Sequence, residues 1–167
     1  MALYLAGFDV FRPDARAHGA RLKRLCAQFG CTGLYPLDND APAGLQGRAL
    51  AEWIYRANVA LIRRCDAVVA NLDPFRGAEP DSGTAFEAGY AVALGKPVWG
   101  YTRQRVPLVG QVACARDPAT GRHVDGQGYT VEDFGLPVNL MLACGARIVC
   151  GDLRRCLQEL TGRVAGD

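Results

Sequence analysis

Two carboxylates stand six residues apart in the run Asp81-Ser82-Gly83-Thr84-Ala85-Phe86-Glu87, which follows an apolar segment and a loop containing proline and glycine. In a parallel α/β sheet, the carboxyl end of a strand and the amino end of the next helix border the crevice where ligands bind. A carboxylate pair there can divide the work, because one can attack carbon while the other moves a proton. Asp81 and Glu87 are therefore candidate catalytic residues.

The same run also has a purely structural interpretation. Thr84-x-x-Glu87 fits a helix capping box, in which the Thr84 side chain accepts from the Glu87 backbone N–H and the Glu87 side chain reaches back. Asp81 or Ser82 is equally acceptable as an ordinary helix cap. This segment alone does not separate capping from catalysis.

Other common site chemistries lack support in the sequence. Neither the dinucleotide fingerprint GxGxxG nor the phosphate-binding pattern GxxxxGK[ST] is present. His18 and His123 are the only histidines, and neither is paired with a serine or cysteine as a catalytic triad requires. The seven cysteines show no CxxC spacing, so we expect no metal site, no cofactor and no complete disulfide framework. Acid–base chemistry must fall mainly to carboxylates and tyrosines.

Length and composition indicate one soluble globular domain spanning residues 1–167. Half of the residues are hydrophobic, 22% are charged and the formal net charge is +2, without the basic excess of a nucleic-acid binder. The first residues show no basic region followed by a long apolar stretch, so we expect no signal peptide and no membrane partner. The thiols and the missing leader favour a cytoplasmic location.

Short β-type runs alternate with helical patterns along the chain. The predicted strands are 2–7, 32–37, 66–72, 97–101 and 147–150, and the predicted helices are 15–29, 45–64, 83–94 and 152–160, with a short helix or turn at 137–144. This alternation predicts an α/β fold: a doubly wound, mostly parallel five-stranded sheet in a flavodoxin-like (Rossmann-like) three-layer sandwich. The stretch 102–135 has no sustained period and reads as a long irregular loop, typical of a lid or partner contact.

Five separated segments together resemble the nucleoside 2-deoxyribosyltransferase family. They are Tyr4-Leu5-Ala6-Gly7, Pro36-Leu37-Asp38-Asn39, Asn71-Leu72-Asp73-Pro74-Phe75-Arg76-Gly77, the run from Asp81 to Ala91, and Pro137-Val138-Asn139-Leu140-Met141. Each segment alone is a weak signal. Their joint order and spacing make the resemblance fairly specific, since each falls where the predicted fold would deliver it to one crevice.

The resemblance implies a retaining, ping-pong transfer of 2-deoxyribose between nucleobases. In it Glu87 corresponds to the nucleophile that attacks the anomeric carbon of a 2′-deoxynucleoside and holds the deoxyribosyl group as an ester. Asp81 matches the second acidic residue, which contacts the leaving base and delivers a proton to it. Tyr4 matches a tyrosine whose hydroxyl orients the nucleophile, although a strand aromatic bonded elsewhere is the alternative. A position near a helix N-terminus is expected to favour ionised Glu87.

The resemblance also assigns substrate-binding positions. At two positions the sequence departs from the family pattern: it has Asn58 where family members can have an aspartate, and Asp40 where they can have a glutamine. Both departures concern recognition of the base. Gly7 belongs to the same substrate-binding set. Asn139 would bind the sugar 5′-hydroxyl in a neighbouring protomer's site, with Met141 packing beside the ligand, unless they are a helix cap and core filler. The expected partners are 2′-deoxynucleosides, free nucleobases and a second copy, as a homodimer or higher even oligomer with shared active sites.

Two other functions remain open at this point. Relatives in the wider superfamily hydrolyse 2′-deoxynucleoside 5′-monophosphates with the same kind of glutamate. That activity requires phosphate ligands near the sugar 5′ end, whereas the matching position here is the neutral Asn139. A non-catalytic nucleotide-binding module on the same fold is the third possibility, and the fold alone argues neither for nor against it.

Overall fold

The computed structural model describes residues 1–163, so the last four residues of the predicted domain 1–167 lie outside the described residues. Its strands are β1 (Ala2–Ala6), β2 (Thr32–Leu34), β3 (Ala67–Asn71), β4 (Val98–Thr102), β5 (Cys114–Arg116), β6 (His123–Asp125) and β7 (Arg147–Cys150). Its helices are α1 (Ala15–Gln28), α2 (Gly47–Arg64), α3 (Ser82–Ala93), α4 (Leu140–Gly145) and α5 (Leu153–Thr161). Short 3-10 turns lie at Phe8–Phe11, Pro36–Asp38 and Leu108–Gly110.

The main sheet has five parallel strands in the order β2-β1-β3-β4-β7. The chain winds outward in one direction from β1 to β2 and in the other from β3 to β7, as in flavodoxin-like folds. The crevice at the carboxyl ends of β1 and β3 is then the expected ligand site. The predicted doubly wound α/β fold is confirmed.

Helices cover both faces of this sheet and bury its apolar strands. One core contains β-strand residues Leu5 and Val69 together with residues of α1 and α5. The other contains Tyr4, Val68 and Ala70 together with residues of α2, α3 and the segment before α4. Because side chains alternate along a strand, Tyr4 and Leu5 enter opposite cores. This alternation directs Tyr4 to the face that carries α3 and Glu87.

The segment between β4 and α4 differs from the prediction of an irregular loop. It contains the antiparallel hairpin β5-β6, paired from Cys114 opposite Asp125 to Arg116 opposite His123. The expectation was wrong because each strand is only three residues long and partly exposed, which is too short to produce an alternating apolar pattern. The second main strand is also shorter than expected, since a 3-10 turn begins at Pro36.

Among residues 1–163, no helix is both long enough and apolar enough to cross a bilayer.

Candidate active site

The proposed nucleophile lies directly against the sheet. Glu87 is in the second turn of α3, and its Oε1 accepts a hydrogen bond from the Tyr4 hydroxyl at 2.5 Å. Tyr4 is in the middle of β1 and is fully buried. The contact joins residues 83 positions apart, so the fold creates it. The structure therefore brings together the two residues that the sequence paired.

The surroundings of Glu87 bring the pKa of its carboxyl group close to neutral pH. The pKa of Glu87 is raised from 4.5 to about 7. Burial is the largest cause and the Asp81 charge adds to it, while the hydrogen bonds from Tyr4 and Asn58 lower the pKa. Burial also raises the pKa of Tyr4 far above its ordinary value, so Tyr4 keeps its proton and donates. The net effect of these surroundings is a raised pKa for Glu87, with desolvation as the largest cause. The contribution expected from the helix N-terminus stays a prediction.

Asn58 reaches the same carboxylate from α2. Its Nδ2 donates to Glu87 Oε1 at 3.4 Å, a long bond. Its Oδ1 is buried and has no hydrogen-bond partner among residues 1–163. A buried carbonyl oxygen without a donor is costly, so Oδ1 is the unsatisfied acceptor of this cluster.

Asp81 is the N-cap of α3. Its Oδ2 accepts from the Thr84 backbone N–H at 3.0 Å and from the Thr84 hydroxyl at 3.1 Å. The alternative Thr84-x-x-Glu87 capping box is therefore wrong, because the helix already begins at Ser82 and Glu87 turns inward to Tyr4. Both recorded bonds use one oxygen of Asp81, so Oδ1 is available to a ligand.

Gly7 is the residue that follows β1, and it is buried. A Cβ built there would lie 2.9 Å from both Asn71 Cβ and Asp9 Oδ2, so only glycine fits. Its φ of 162° is ordinary extended backbone, and the requirement is one of space. Gly7 thus lets the ends of β1 and β3 approach closely.

A buried polar network at these strand ends was missed by the sequence reasoning. Asn71 Nδ2 donates to Asp9 Oδ2 at 2.9 Å, and Asp9 Oδ1 lies 3.0 Å from His18 Nε2. Asp73 Oδ1 accepts from the Thr102 hydroxyl and the Arg103 N–H, which ties the loop after β3 to β4. The sequence shows only that polar residues follow the apolar strands, and this pattern does not reveal which of them are hydrogen-bonded to one another.

Asp40 lies apart from this cluster. Its side chain is 82% exposed, and its Oδ1 accepts from Arg16 Nη2 at 2.7 Å. The structure joins Tyr4, Asn58 and Glu87 by hydrogen bonds and gives Asp40 a partner on α1 instead.

Within the described residues of one chain, Asn139 and Met141 make no hydrogen bond to Glu87. Asn139 is the N-cap of α4, and its Oδ1 accepts from the Met141 N–H at 3.0 Å. The Met141 side chain is exposed, so the alternative of a core filler is wrong. Both residues line a cavity of about 590 Å³ whose remaining walls are largely apolar residues of α3 and α4.

The described residues 1–163 contain no group of three or more histidine, cysteine, aspartate or glutamate residues placed to hold a metal ion.

The sequence and the fold are similar to those of known proteins. The family model described as nucleoside 2-deoxyribosyltransferase matches residues 3–141. The fold superimposes on a 2-deoxyribosyltransferase from Leishmania mexicana with a TM-score of 0.79 and 35% identity, covering 96% of this chain and 97% of the other. A 2-deoxyribosyltransferase from Bacillus psychrosaccharolyticus, at 17% identity, 98% and 93% coverage and a TM-score of 0.62, shares the fold. An uncharacterized protein of Schizosaccharomyces pombe is 40% identical over 143 residues, which are 78% of this chain and 66% of that protein.

Proposed function

The chain belongs to the nucleoside 2-deoxyribosyltransferase family, and we propose that it moves 2-deoxyribose from one nucleobase to another through an ester of Glu87. The observation that carries this proposal is the Tyr4–Glu87 hydrogen bond at the crevice of the sheet. Glu87 is half-buried, and both of its hydrogen bonds within the described residues use Oε1, which leaves Oε2 free to react. The substrates are a 2′-deoxynucleoside and a free nucleobase.

The first half-reaction needs an anionic nucleophile facing the anomeric carbon. A Glu87 oxygen attacks C1′ while the C1′–N bond breaks and its electron pair leaves with the base. The nitrogen of a second base then attacks C1′, and the electron pair of the C1′–O bond returns to Glu87. Two displacements invert the centre twice, so the product keeps the β configuration of the substrate.

The departing base needs a proton as charge builds on its nitrogen. Asp81 is the proposed group for this step, since it caps the helix that carries Glu87 and has an oxygen not engaged by Thr84. Its capping role and its catalytic role use different oxygens. In the second half-reaction, the same carboxylate takes the proton from the incoming base.

Tyr4 and Asn58 are the proposed supports of the nucleophile. Tyr4 fixes one Glu87 oxygen, which leaves the other directed at the sugar. Asn58 shares that fixed oxygen and offers its unpartnered Oδ1 to a donor on the substrate. Of the two base-recognition positions, Asn58 therefore has structural support beside Glu87. Asp40 would need to leave Arg16 to contact a base, and Gly7 would act through the close approach of β1 and β3.

A second copy of the chain is the proposed source of Asn139 and Met141 in each site. In support, Met141 is 75% exposed, and the aromatic rings of Tyr129 and Phe134 on the preceding segment are also exposed. Large apolar side chains exposed within a short stretch of chain are the kind that a contact surface would cover. A symmetric dimer would combine Glu87 of one protomer with Asn139 of its partner, twice.

The proposed compartment is the cytoplasm. All seven cysteines are free thiols in the structure, three of them exposed or partly exposed. Exposed unpaired thiols are typical of proteins that work in a reducing environment.

The proposal is tested by incubating the protein with 2′-deoxyinosine, thymidine or their 5′-monophosphates together with adenine or cytosine, and separating bases and nucleosides by chromatography. Appearance of a new 2′-deoxynucleoside supports transfer. Release of base only from a 5′-monophosphate would instead support the nucleotide hydrolase. If no substrate reacts, the result would favour a non-catalytic nucleotide-binding module. The Glu87→Ala variant serves as the inactive control.

A further inference from the structure

The segment between β6 and α4 is bonded directly to Asn139. Glu132 Oε1 accepts from Asn139 Nδ2 at 2.7 Å, and Glu132 Oε2 accepts from the Leu140 N–H at 2.9 Å. Both carboxylate oxygens are therefore used at the first residues of α4. The family resemblance assigns no function to this glutamate.

These bonds decide which way the Asn139 amide faces. Its oxygen must accept from the Met141 N–H, and its nitrogen must donate to the Glu132 carboxylate. One amide N–H and one oxygen lone pair stay free, in fixed directions. A hydroxyl group, which both donates and accepts, matches that free pair.

The charge around Asn139 is negative. Glu79 lines the same cavity as Asn139, and burial together with the Glu132 charge raises the pKa of the Glu79 carboxyl. Among the described residues that line the cavity there is no arginine or lysine. On this chain's side of the site, a phosphate group would therefore meet carboxylates and no cation, which disfavours phosphate binding.

We propose that Glu132 is a positioning and selectivity residue, which orients Asn139 toward the 5′-hydroxyl of the nucleoside and excludes a 5′-phosphate. This inference rests on the proposed function. It gives the segment after β6 a role in recognising the sugar end of the substrate. It also identifies the substrate class as unphosphorylated nucleosides.

The test compares the wild-type protein with Glu132→Gln on three substrates: 2′-deoxyinosine, 2′,5′-dideoxyinosine and 2′-deoxyinosine 5′-monophosphate, each with adenine as acceptor. Thymidine and its 5′-deoxy and 5′-phosphate forms are the pyrimidine set. Asp133→Asn is the matched control, because it removes the same charge from the next residue, whose partner is His123 at 3.3 Å.

We expect Glu132→Gln to lower kcat/KM for the 5′-hydroxyl substrate about tenfold, the effect of losing a charged hydrogen bond. The 5′-deoxy substrate should change less than about twofold on the same reasoning, because it has no hydroxyl to lose contact with. The ratio of phosphorylated to unphosphorylated activity should rise. Asp133→Asn should change none of these values.

An equal loss on the 5′-hydroxyl and 5′-deoxy substrates would show that Glu132 only supports α4, and would overturn the inference. Unchanged kinetics would overturn it too. If Glu132→Gln melts below the assay temperature, Glu132→Asp replaces it. We then expect the preference for the 5′-hydroxyl over the 5′-deoxy substrate to fall, while the 5′-phosphate substrate is still excluded. A wild-type protein without transfer activity on either nucleoside would reject the proposed function itself, a result distinct from failure of the variants.

Discussion

The Tyr4 hydroxyl donates to Glu87 Oε1 at 2.5 Å, which links the middle of β1 to the second turn of α3. The hydrogen bond stabilises the carboxylate, while the burial of both side chains opposes ionisation. The balance sets the pKa of Glu87 at about 7. A nucleophile with this pKa is about half ionised near neutral pH, so activity must rise with pH across that region.

Tyr4→Phe should lower kcat/KM by roughly 10- to 100-fold, the effect of losing a hydrogen bond to a charged group. Because that bond lowers the pKa of Glu87, its loss raises the pKa, and the midpoint of the rise in activity moves to higher pH. The measurement is kcat/KM for base exchange between pH 5 and 9. Tyr35→Phe is the control, since the buried Tyr35 hydroxyl has no hydrogen-bond partner in residues 1–163. An unshifted midpoint in Tyr4→Phe would contradict the assignment.

Asp81→Asn should reduce transfer by about 10²–10⁴-fold, the usual range for a general acid–base group. The loss should be smaller for substrates whose base departs easily. Since the Asp81 charge raises the pKa of Glu87, its removal should move the pH midpoint downward, opposite to Tyr4→Phe. Asparagine also caps helices well, so the melting temperature should change little.

Asp152→Asn is the matched control for the Asp81 variant, because Asp152 caps α5 by accepting from the Arg155 N–H at 3.0 Å. It should leave turnover intact. If Asp81→Asn instead retained full turnover, Asp81 would be a structural cap and nothing more.

Asn58→Asp should alter the preference among bases and also weaken the nucleophile. The change removes a hydrogen bond that lowers the pKa of Glu87 and adds a like charge beside it, so the pKa rises. Because the pKa starts at about 7, an increase of one unit should lower activity at pH 7 about fivefold, with recovery at higher pH. Competition assays with adenine and cytosine over this pH range measure both effects. Equal losses for all bases at every pH would indicate a structural role.

Complementation tests the composite site. Glu87→Ala and Asn139→Ala should each be inactive or nearly so, and mixing them after subunit exchange should restore part of the activity, because some mixed dimers regain one intact site. A mixture of Glu87→Ala with Tyr4→Phe should not recover, since both changes affect the same protomer's half of the site. No recovery despite demonstrated exchange, or full activity of a monomer in sedimentation, would refute the shared site.

Much of the fold follows from local patterns. The apolar run of β3, the helical spacing in α1 and α2, and the glycine after α3 predict the order of elements, because periodicity and caps are local properties. The hairpin β5-β6 escaped prediction because two exposed three-residue strands have no period. Their pairing depends on contacts that sequence spacing does not reveal.

The candidate site divides in the same way. Residue types and family resemblance identified Tyr4, Asp81 and Glu87 as functional candidates. The raised pKa of Glu87 could not be predicted, because it depends on how deeply the side chain is buried. The bond from Glu132 to Asn139 likewise joins residues whose relation appears only in three dimensions.

The central claim is that Glu87 carries the deoxyribosyl group, and the most direct test is mass spectrometry of the protein after incubation with a 2′-fluorinated deoxynucleoside. Fluorine at C2′ slows both steps through an oxocarbenium-like transition state, so the ester should accumulate when no acceptor base is present. The account predicts one added fluorodeoxyribosyl mass, located on the peptide containing Glu87, absent from Glu87→Gln and released on addition of adenine. An adduct on another residue, or a Glu87→Ala protein that still exchanges bases at the wild-type rate, would contradict it.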